Sequence, residues 1–353
     1  MTYLSVRVRL PSVRGPTLKN MDVLSEVLKL IKLKGAIFLN GEFSSPWSFS
    51  SPPSCELTPQ LSPGAGKLVI YHLLTEGSGY VWVDEKQPML LKAGDLVILP
   101  HGNSHVIGNG KRIKPIDSGK EVEKILAQKL RILSGGGGGD VTRFVCGYLA
   151  FESQLSDVLL GCLPPVMKVH IRSDVRGQWL ENSIKFAVNE TAAANPGSDA
   201  MLARLSEVLF VETLRRYIDD LPKEQTGWLS GVRDSEVGRT LALMHRDPAR
   251  EWTIADLAKE VGTSRSVLAE RFRHYLGEPP MSYLTRWRLM LATSLLTSSN
   301  ASVAEIASEV GYESEPAFNR AFKREFGLPP ARFRTESLTR GTSRIDYRTS
   351  VRI

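Results

Sequence analysis

Residues 254–283 read IADLAKEVGTSRSVLAERFRHYLGEPPMSY, and residues 303–333 repeat this pattern as VAEIASEVGYESEPAFNRAFKREFGLPPARF. In each copy an alanine-rich amphipathic segment reaches a glycine, Gly262 or Gly311, and a second amphipathic segment follows. Two helices that cross steeply need small residues at their contact and a residue that tolerates positive φ at the turn. The repeat therefore predicts two successive helix-turn-helix units.

The second segment of each copy has an apolar face and a polar face. Leu268 and Phe272, and in the second copy Phe318 and Phe322, recur at a spacing of four residues, which predicts that they are buried. The polar face predicts contacts with base edges in a major groove of DNA. Its residues are Arg265, Ser266, Ala269, Glu270 and Arg273 in the first copy, and Glu315, Asn319, Arg320 and Lys323 in the second.

The segment between the two copies, Met281 to Ser299, has one continuous helical pattern. We expect this helix to hold the two units rigidly apart. Consecutive major grooves on one face of DNA are separated by about 34 Å, so two linked units can occupy adjacent turns. Arg286 and Arg288 on this helix are the predicted phosphate contacts.

The net charge of the chain is +7, but little of it lies in the repeat region. Residues 234–334 contain 14 basic and 13 acidic residues, whereas residues 1–20 contain 4 basic residues and no acidic ones. The duplication, rather than the charge, therefore carries the prediction of DNA binding, and a structural helical bundle is the alternative.

The amino-terminal half has a different pattern. Short apolar stretches separated by Gly, Pro and Ser run from Gly35 to about Leu99, and Val141–Phe151 is a further strand-like run. This pattern predicts an antiparallel β-domain. The five glycines from Gly135 to Gly139 predict a flexible loop. We therefore expect an α+β chain, with an amino-terminal β-barrel and a carboxy-terminal all-α domain that holds the two helix-turn-helix units.

Ser198 to Leu221 predicts a helix with a long apolar stripe that includes Leu205 and Leu209. Such a helix either forms a homodimer seam or covers an edge of the β-domain of its own chain. The predicted divisions of the chain are a basic lead-in (1–20), the β-domain (21–197), a connecting helix and linker (198–233), the helix-turn-helix domain (234–334) and a tail (335–353).

Residues 234–334 resemble the DNA-binding domain of the AraC/XylS family of bacterial regulators, most clearly over Gly311 to Arg334. The resemblance implies seven helices that place both second helices in successive major grooves of promoter DNA. In the family this usually recruits RNA polymerase, so an activator is favoured. The small or acidic residues at the groove-facing positions of the first copy, and Pro316 in the second, depart from the family's pattern. We therefore expect the strongest base contacts from Arg265 and Arg320.

The stretch GDLVILPHGNSHVIGN, residues 94–109, resembles the second motif of the cupins. The positions that match are Gly94, Pro100, Gly102, His105 and Asn109. The wider segment from Met21 to about His170 is similar to the cupin-type sensor domain of some AraC-family regulators. The resemblance implies a small barrel with an interior that could hold a small-molecule effector.

Enzymatic cupins bind a divalent metal through several histidines and a glutamate. Here His72 and His105 remain of that set, because Leu74 stands where a second histidine of the first motif would be. Cys146 is the candidate third ligand, and two firm ligands do not make a metal site. We therefore expect no required cofactor and no enzyme activity, with a metal-dependent cupin enzyme fused to a DNA-binding unit as the alternative.

A cysteine-based sensor of oxidants is the rival to a small-molecule sensor. Its candidate residues are Cys55, Cys146 and Cys162. Three scattered cysteines are too few for a disulfide framework, and the first twenty residues lack the apolar core of a secretion signal. We therefore expect a cytoplasmic protein.

Overall fold

The structure is a computed structural model that describes residues 23–30, 33–83, 87–109, 115–117, 132–151, 160–161, 163–193, 195–222 and 224–339. The predicted basic lead-in, Cys162 and the tail from residue 340 lie outside these ranges.

Strands make up most of the first half of the described chain, and helices make up the second half. The strands are β1 (Leu33–Ser44), β2 (Ser48–Ser51), β3 (Lys67–Glu76), β4 (Ser78–Val83), β5 (Met89–Lys92), β6 (Asp95–Leu99), β7 (His105–Gly108), β8 (Ile116–Asp117), β9 (Ile132–Gly136), β10 (Val141–Phe151) and β11 (Met167–His170). The helices are α1 (Val23–Leu30), α2 (Ser54–Leu61), α3 (Val175–Ala192), α4 (Ser198–Asp219), α5 (Trp228–Arg233), α6 (Ser235–Arg246), α7 (Ile254–Val261), α8 (Arg265–Leu276), α9 (Pro280–Ser298), α10 (Val303–Glu309), α11 (Glu315–Phe326) and α12 (Pro330–Thr339).

The described strands form two sheets. One has six strands in the order β11-β6-β3-β10-β1-β9, and the other has five in the order β5-β4-β7-β2-β8. Because successive side chains of a strand point to opposite faces, β3 contributes Ile70 and Leu74 to the core between the sheets. The alternate residues Val69, Tyr71 and Leu73 join a second core on the outer face of the larger sheet. The predicted α+β fold with an amino-terminal cupin-like domain is confirmed.

The glycine run is part of a strand and a tight turn. Gly135 and Gly136 pair in parallel with Phe43 and Ser44 of β1. A Cβ at Gly136 would lie 1.9 Å from the Ser44 carbonyl oxygen, so the two backbones can approach only because this residue is glycine. The prediction of a loop is wrong for Gly135 and Gly136, because pairing with a distant strand decides their conformation, whereas residues 137–139 lie in the connection between β9 and β10.

Helix α4 covers the outer face of the six-stranded sheet. Gly35 of β1 lies directly beneath it, and a Cβ there would be 2.4 Å from the Cβ of Ser206. The hydroxyl groups of Ser206 and Tyr71 form a buried hydrogen bond of 2.8 Å. Leu209 is 1% exposed, and Leu205 packs against the same core. The apolar stripe of α4 is therefore covered by its own chain, so the structure supports the second of the two alternatives, packing on the β-domain, with Leu205 and Leu209 turned to the sheet face.

The core on the outer face of the sheet continues into the first helix-turn-helix unit. It joins residues of α1, α3 and α4 to residues of α5 through α8 and to the first half of α9, including Tyr283 and Trp287. The second unit has a separate core, built from α10, α11, α12 and the second half of α9, including Leu289 and Leu296. The β-domain and the first unit thus share one core, and α9 connects them to the second unit.

Both predicted helix-turn-helix units are present. Helix α7 begins with a capping box between Thr253 and Asp256 and ends at Gly262, whose φ is 79°. Helix α10 begins with a capping box between Ser302 and Glu305, and Gly311 in the following turn has a φ of 84°. The described residues from Ser235 to Thr339 hold seven helices, α6 to α12, as the resemblance implied. None of the helices in the described ranges has the length and apolar character needed to cross a membrane.

Candidate DNA-binding surface and sensor interior

Helix α8 is the second helix of the first unit. The side chain of Ser264 caps it by accepting a hydrogen bond from the backbone N–H of Val267. Leu268 and Phe272 are fully buried, as predicted, so the opposite face of the helix is turned to solvent. Arg265, Ser266, Glu270 and Arg273 are exposed on it, and Ala269 is half-buried.

Val267 is a residue of α8 that the sequence pattern did not single out. Its side chain is 42% exposed although it is apolar. An exposed valine on such a helix can contact the methyl group of thymine. The signal in the sequence was weak, because a valine one residue before the buried Leu268 is equally compatible with a core position.

Helix α11 is the second helix of the second unit. Pro316 lies in its first turn, where the backbone N–H groups have no partner within the helix, so the proline does not disrupt it. Phe318 and Phe322 are fully buried, as predicted. The side-chain amide of Asn319 donates to Glu315 at 3.4 Å, and Arg320 and Lys323 are exposed. Arg324 is also exposed, one turn after Arg320, and the prediction had missed it.

The basic side chains predicted to contact DNA differ in whether they form ion pairs within the chain. Arg265, Arg273, Arg320 and Lys323 are exposed, and none of them forms an ion pair with another described residue. A phosphate or a guanine edge needs such unpaired donors. These four residues therefore present cationic groups to a ligand outside the chain.

Arg286 and Arg288 of α9 bind other residues of their own chain. Arg286 forms an ion pair with Glu278 and lies over the ring of Tyr283, 5.5 Å from its centroid. Arg288 donates hydrogen bonds to the carbonyl oxygens of Pro248 at 2.6 Å, Arg250 at 2.8 Å and Gly311 at 3.1 Å. Three of the five guanidinium N–H donors of Arg288 are thus bound inside the chain, and its contact with a phosphate stays a prediction. Within the chain Arg288 joins the loop after α6 to the turn of the second unit.

The interior of the β-domain brings His72, His105 and Cys146 together. His72 Nδ1 lies 2.5 Å from Cys146 Sγ, and His72 Nε2 lies 2.6 Å from His105 Nε2. His105 Nδ1 lies 2.9 Å from the backbone oxygen of Asn103. The histidines come from β3 and β7, so the contact joins the two sheets.

This chain of contacts has one consistent arrangement of protons when both histidines are neutral. A carbonyl oxygen only accepts, so His105 Nδ1 donates to Asn103 and His105 Nε2 accepts from His72. His72 Nδ1 then accepts from the thiol of Cys146. Burial lowers the pKa of His105 to about 4 and holds the pKa of His72 well below its usual range. Burial also raises the pKa of the Cys146 thiol well above its usual value, so the network is neutral.

The arrangement does not support the predicted metal site at His72, His105 and Cys146. His72 lies between the other two residues and faces them with opposite ring nitrogens, so one ion cannot be bound by all three. In the described part of the chain, no group of three His, Cys, Asp or Glu side chains could hold a metal ion. Among the redox candidates, Cys146 is buried and neutral, Cys55 is exposed, and Cys162 lies outside the described residues.

Aromatic rings fill the barrel beside these residues. The ring centroids of Phe43 and Phe144 are 5.4 Å apart, and that of Trp47 is 5.2 Å from Phe43 and 5.3 Å from Phe144. All three rings are fully buried or nearly so. These rings therefore form a packed aromatic cluster inside the barrel.

The junction between the β-domain and the first unit is tied by polar contacts as well as by the shared core. The guanidinium of Arg233 in α5 donates to the carbonyl oxygens of Leu221 and Pro222, which follow α4. The indole N–H of Trp228 donates to the hydroxyl of Tyr283 in α9 at 3.0 Å. A cavity of about 240 Å³ lies at this junction, lined by Leu163, Tyr217, Gln225, Trp228 and Leu229 among others.

A β-domain of this type joined to two helix-turn-helix units defines a DNA-binding transcriptional regulator. The chain matches the cupin family over residues 22–219 and a helix-turn-helix domain family over residues 257–336. It is 32% identical to an AraC-like transcription regulator of Streptomyces lividans, with 89% of this chain and 98% of that protein aligned. The chain therefore belongs to the AraC family of transcriptional regulators.

Two further relatives illustrate the extent of the similarity. The HTH-type transcriptional regulator AlkR of Acinetobacter baylyi is 29% identical, with 90% of this chain and the whole of that protein aligned. The solved DNA-binding domain of the regulator AdpA, in complex with a target DNA, is 28% identical over 31% of this chain and 99% of that domain, with a TM-score of 0.30.

Proposed function

We propose that α8 and α11 read base edges in two successive major grooves of promoter DNA, with Arg265 and Arg320 as the principal base contacts. The observation that carries this proposal is that both arginines are exposed on the outward face of a second helix and have no ion-pair partner among the described residues. An arginine that binds the O6 and N7 atoms of guanine contributes the commonest specific contact with DNA.

The other predicted contacts take supporting roles in this proposal. Arg273 and Lys323 lie in the last turns of their helices, where an exposed cation can bind a phosphate and set the orientation of the helix. Glu270 and Glu315 can accept a hydrogen bond from the amino group of cytosine, and Ser266, Ala269 and Asn319 lie beside them. Arg286 contributes to DNA binding only if its ion pair with Glu278 opens.

We further propose that the β-domain controls the first unit directly. The two share one core, and Arg233 joins the end of α4 to α5, so a change in the β-domain is transmitted without a flexible connection. An effector would act as a population shift between two arrangements of this junction. A small molecule fits this role better than an oxidant of Cys146, because the buried thiol is neutral.

The remaining partners follow from the family. We propose that the protein acts in the cytoplasm as an activator that contacts RNA polymerase and that it is not an enzyme. A second copy of the chain is a further proposed partner. The metal-dependent enzyme alternative has no support from the three residues that were its candidate ligands.

The test is a hydroxyl-radical footprint on a selected DNA site with two variants. Arg265→Ala should weaken protection of one groove, and Arg320→Ala that of the neighbouring groove, each with a loss of about 1–3 kcal/mol of specific binding free energy. Arg204→Ala, which removes a 79%-exposed arginine of α4, is the matched control and should leave binding unchanged. Equal affinity of Arg320→Ala and the native chain for the site would refute the assignment.

A further inference from the structure

A cavity outside the barrel lies where the β-domain meets the first helix-turn-helix unit. Leu163 precedes β11, Tyr217 lies in the last turn of α4, and Trp228 begins α5. The buried lining residues belong to the core on the outer face of the larger sheet, so the cavity is separate from the interior between the two sheets. We call it the junction cavity; its volume is about 240 Å³, and among its lining residues are Leu163, Pro164, Tyr217, Gln225, Trp228 and Leu229.

The buried part of the cavity wall is apolar and aromatic. Leu163, Trp228 and Leu229 are buried, Tyr217 is half-buried and Gln225 is exposed. None of the described residues that line the cavity is charged. A charged ligand would lose its bound water there without gaining an opposite charge, which is unfavourable. The junction cavity therefore favours a neutral ligand.

The volume limits the ligand to a small molecule. An apolar cavity of about 150 Å³ is large enough to bind benzene. The 240 Å³ of the junction cavity therefore admits one or two fused rings with a polar substituent. Tyr217 and Trp228 in the wall provide aromatic surface against which such rings can pack.

Polar groups in the wall are available to this substituent. The side chains of Tyr217, Gln225 and Thr226 line the cavity and form no hydrogen bond with another described residue. Hydroxyl and amide groups both donate and accept hydrogen bonds. A hydroxyl group or an N–H on the ligand therefore has partners that fix its orientation.

The loop that lines the junction cavity is bonded to the first of the two helices proposed to read DNA. The backbone N–H of Gly227 donates to the carbonyl oxygen of Tyr275, in the last turn of α8, at 2.7 Å. Carbonyl groups in the last turn of a helix have no partner within the helix, so this bond comes from the loop instead. A ligand that moves residues 225–227 therefore also moves the carboxy-terminal end of α8.

The same wall is connected to α9, the helix between the two units. The indole N–H of Trp228 donates to the Tyr283 hydroxyl, which lies 2.8 Å from Nε2 of His245. The ring of His245 stacks on that of Trp287, with 3.8 Å between the ring centroids. Because Tyr283 and Trp287 are one turn apart on α9, a shift of Trp228 reaches the helix that positions the second unit.

We propose that the junction cavity is the effector site of this regulator and that it binds a neutral aromatic molecule of one or two rings that carries a hydrogen-bonding group. The inference rests on the proposed control of the first unit by the β-domain, and it assigns the effector a place outside the barrel. One ligand there contacts α4, α5 and the segment before β11 together. A molecule that fits one arrangement of this junction better than another shifts the population towards that arrangement.

Calorimetric titration of the full chain tests the ligand class and the place of the site. The neutral probes are 2-naphthol and indole, and 2-naphthoate has the rings of 2-naphthol with a negative charge. We expect both neutral probes to bind at one site per chain, and 2-naphthoate to bind at least about 10-fold more weakly than 2-naphthol. Thr226→Phe, which places a ring in the cavity, should weaken 2-naphthol binding by about 10-fold or more. Glu224→Phe adds the same ring at an exposed position outside the lining and is the matched control.

The affinity for a selected DNA site, measured with and without 2-naphthol, tests the effector role. The probe should change the dissociation constant of the native chain by about 5-fold or more and leave that of Thr226→Phe unchanged. Trp228→Phe keeps an aromatic ring in the wall but loses the donor to Tyr283. It should therefore still bind 2-naphthol, with a smaller change in DNA affinity.

Three outcomes would overturn the proposal. Absence of saturable binding by both neutral probes, or equal 2-naphthol binding by the native chain and by a Thr226→Phe chain that circular dichroism shows to be folded, overturns the junction cavity as the ligand site. Saturable binding without any change in DNA affinity overturns its role as the effector site. A change in DNA affinity that persists in Thr226→Phe overturns the cavity but leaves control of the first unit by an effector standing, so the two failures are distinguishable.

Discussion

Arg288 is expected to hold the two helix-turn-helix units in their relative positions. Its guanidinium bridges the carbonyl oxygens of Pro248 and Arg250, which belong to the loop after α6, and that of Gly311, in the turn of the second unit. The approach at Gly311 is close, because a Cβ there would lie 2.7 Å from the Cα of Ala249 and 3.0 Å from the Arg288 guanidinium carbon. Removing this side chain therefore affects the contact between the two units directly.

The size of the effect follows from the three hydrogen bonds. A hydrogen bond that involves a charged group contributes about 1.5–3 kcal/mol, and three bonds from one half-buried group are less than additive. We expect Arg288→Ala to lower the free energy of unfolding by about 3 kcal/mol. Arg288→Met should lose nearly as much, because it keeps the side chain's length but no donor. Arg288→Lys should recover less than half, because an ammonium group cannot reach three carbonyls with the geometry of a guanidinium.

Two measurements check this prediction. Urea denaturation gives the free energy of unfolding. A footprint on a selected DNA site shows whether the variant protects the groove assigned to α11 less than the groove assigned to α8. Arg334→Ala is the control, because Arg334 binds the carbonyls of Leu296 and Ala301 within the second unit alone. It should lower stability without changing the relative protection of the two grooves. An Arg288→Ala chain within about 0.5 kcal/mol of native stability, with both grooves equally protected, would show that Arg288 does not hold the two units together.

Three further predictions concern the buried residues. Burial lowers the pKa of His105 to about 4 and that of His245 to about 3. As the pH falls, these two histidines are therefore protonated in the unfolded chain before they are protonated in the folded chain. The free energy of unfolding should fall as the pH drops from about 6.5 towards 4. Urea denaturation of His245→Phe over this range should show a shallower slope, by up to about 1.4 kcal/mol per pH unit, and an unchanged slope would contradict the buried neutral state of His245. In native buffer a thiol reagent should modify exposed Cys55 quickly and buried Cys146 slowly, so Cys55→Ser should remove a fast phase that Cys146→Ser leaves intact. Leu209→Ala should lower the free energy of unfolding by about 2–5 kcal/mol, whereas Val208→Ala, at a 44%-exposed position, should change it little; similar small effects at both sites would mean that α4 does not pack on the sheet.

The local features of the fold could be predicted from the sequence because they depend on residues that are close together in the chain. The turn glycines Gly262 and Gly311 and the four-residue spacing of Phe318 and Phe322 determine the helices and their buried faces directly. The duplication made this pattern reliable, since each copy supports the interpretation of the other.

The features that depend on distant residues could not be predicted in this way. Periodicity places Arg288 on a face of α9, but it does not show that carbonyls from residues 248–250 and 311 meet there. The stripe that contains Leu209 has the same pattern whether it packs on the sheet or on a second copy. The motif residue His105 was found from the sequence, whereas its link through His72 to Cys146 depends on the register of β3 and β10.

We propose that one chain reads two adjacent major grooves of specific DNA. The most direct measurement is a footprint of the purified full chain on DNA fragments selected from its host genome, at physiological salt and with excess competitor DNA. We expect discrete sites that are protected on one face over two consecutive major grooves, about 34 Å apart. Diffuse protection that disappears with added salt and shows no preferred sequence would contradict specific reading of two grooves.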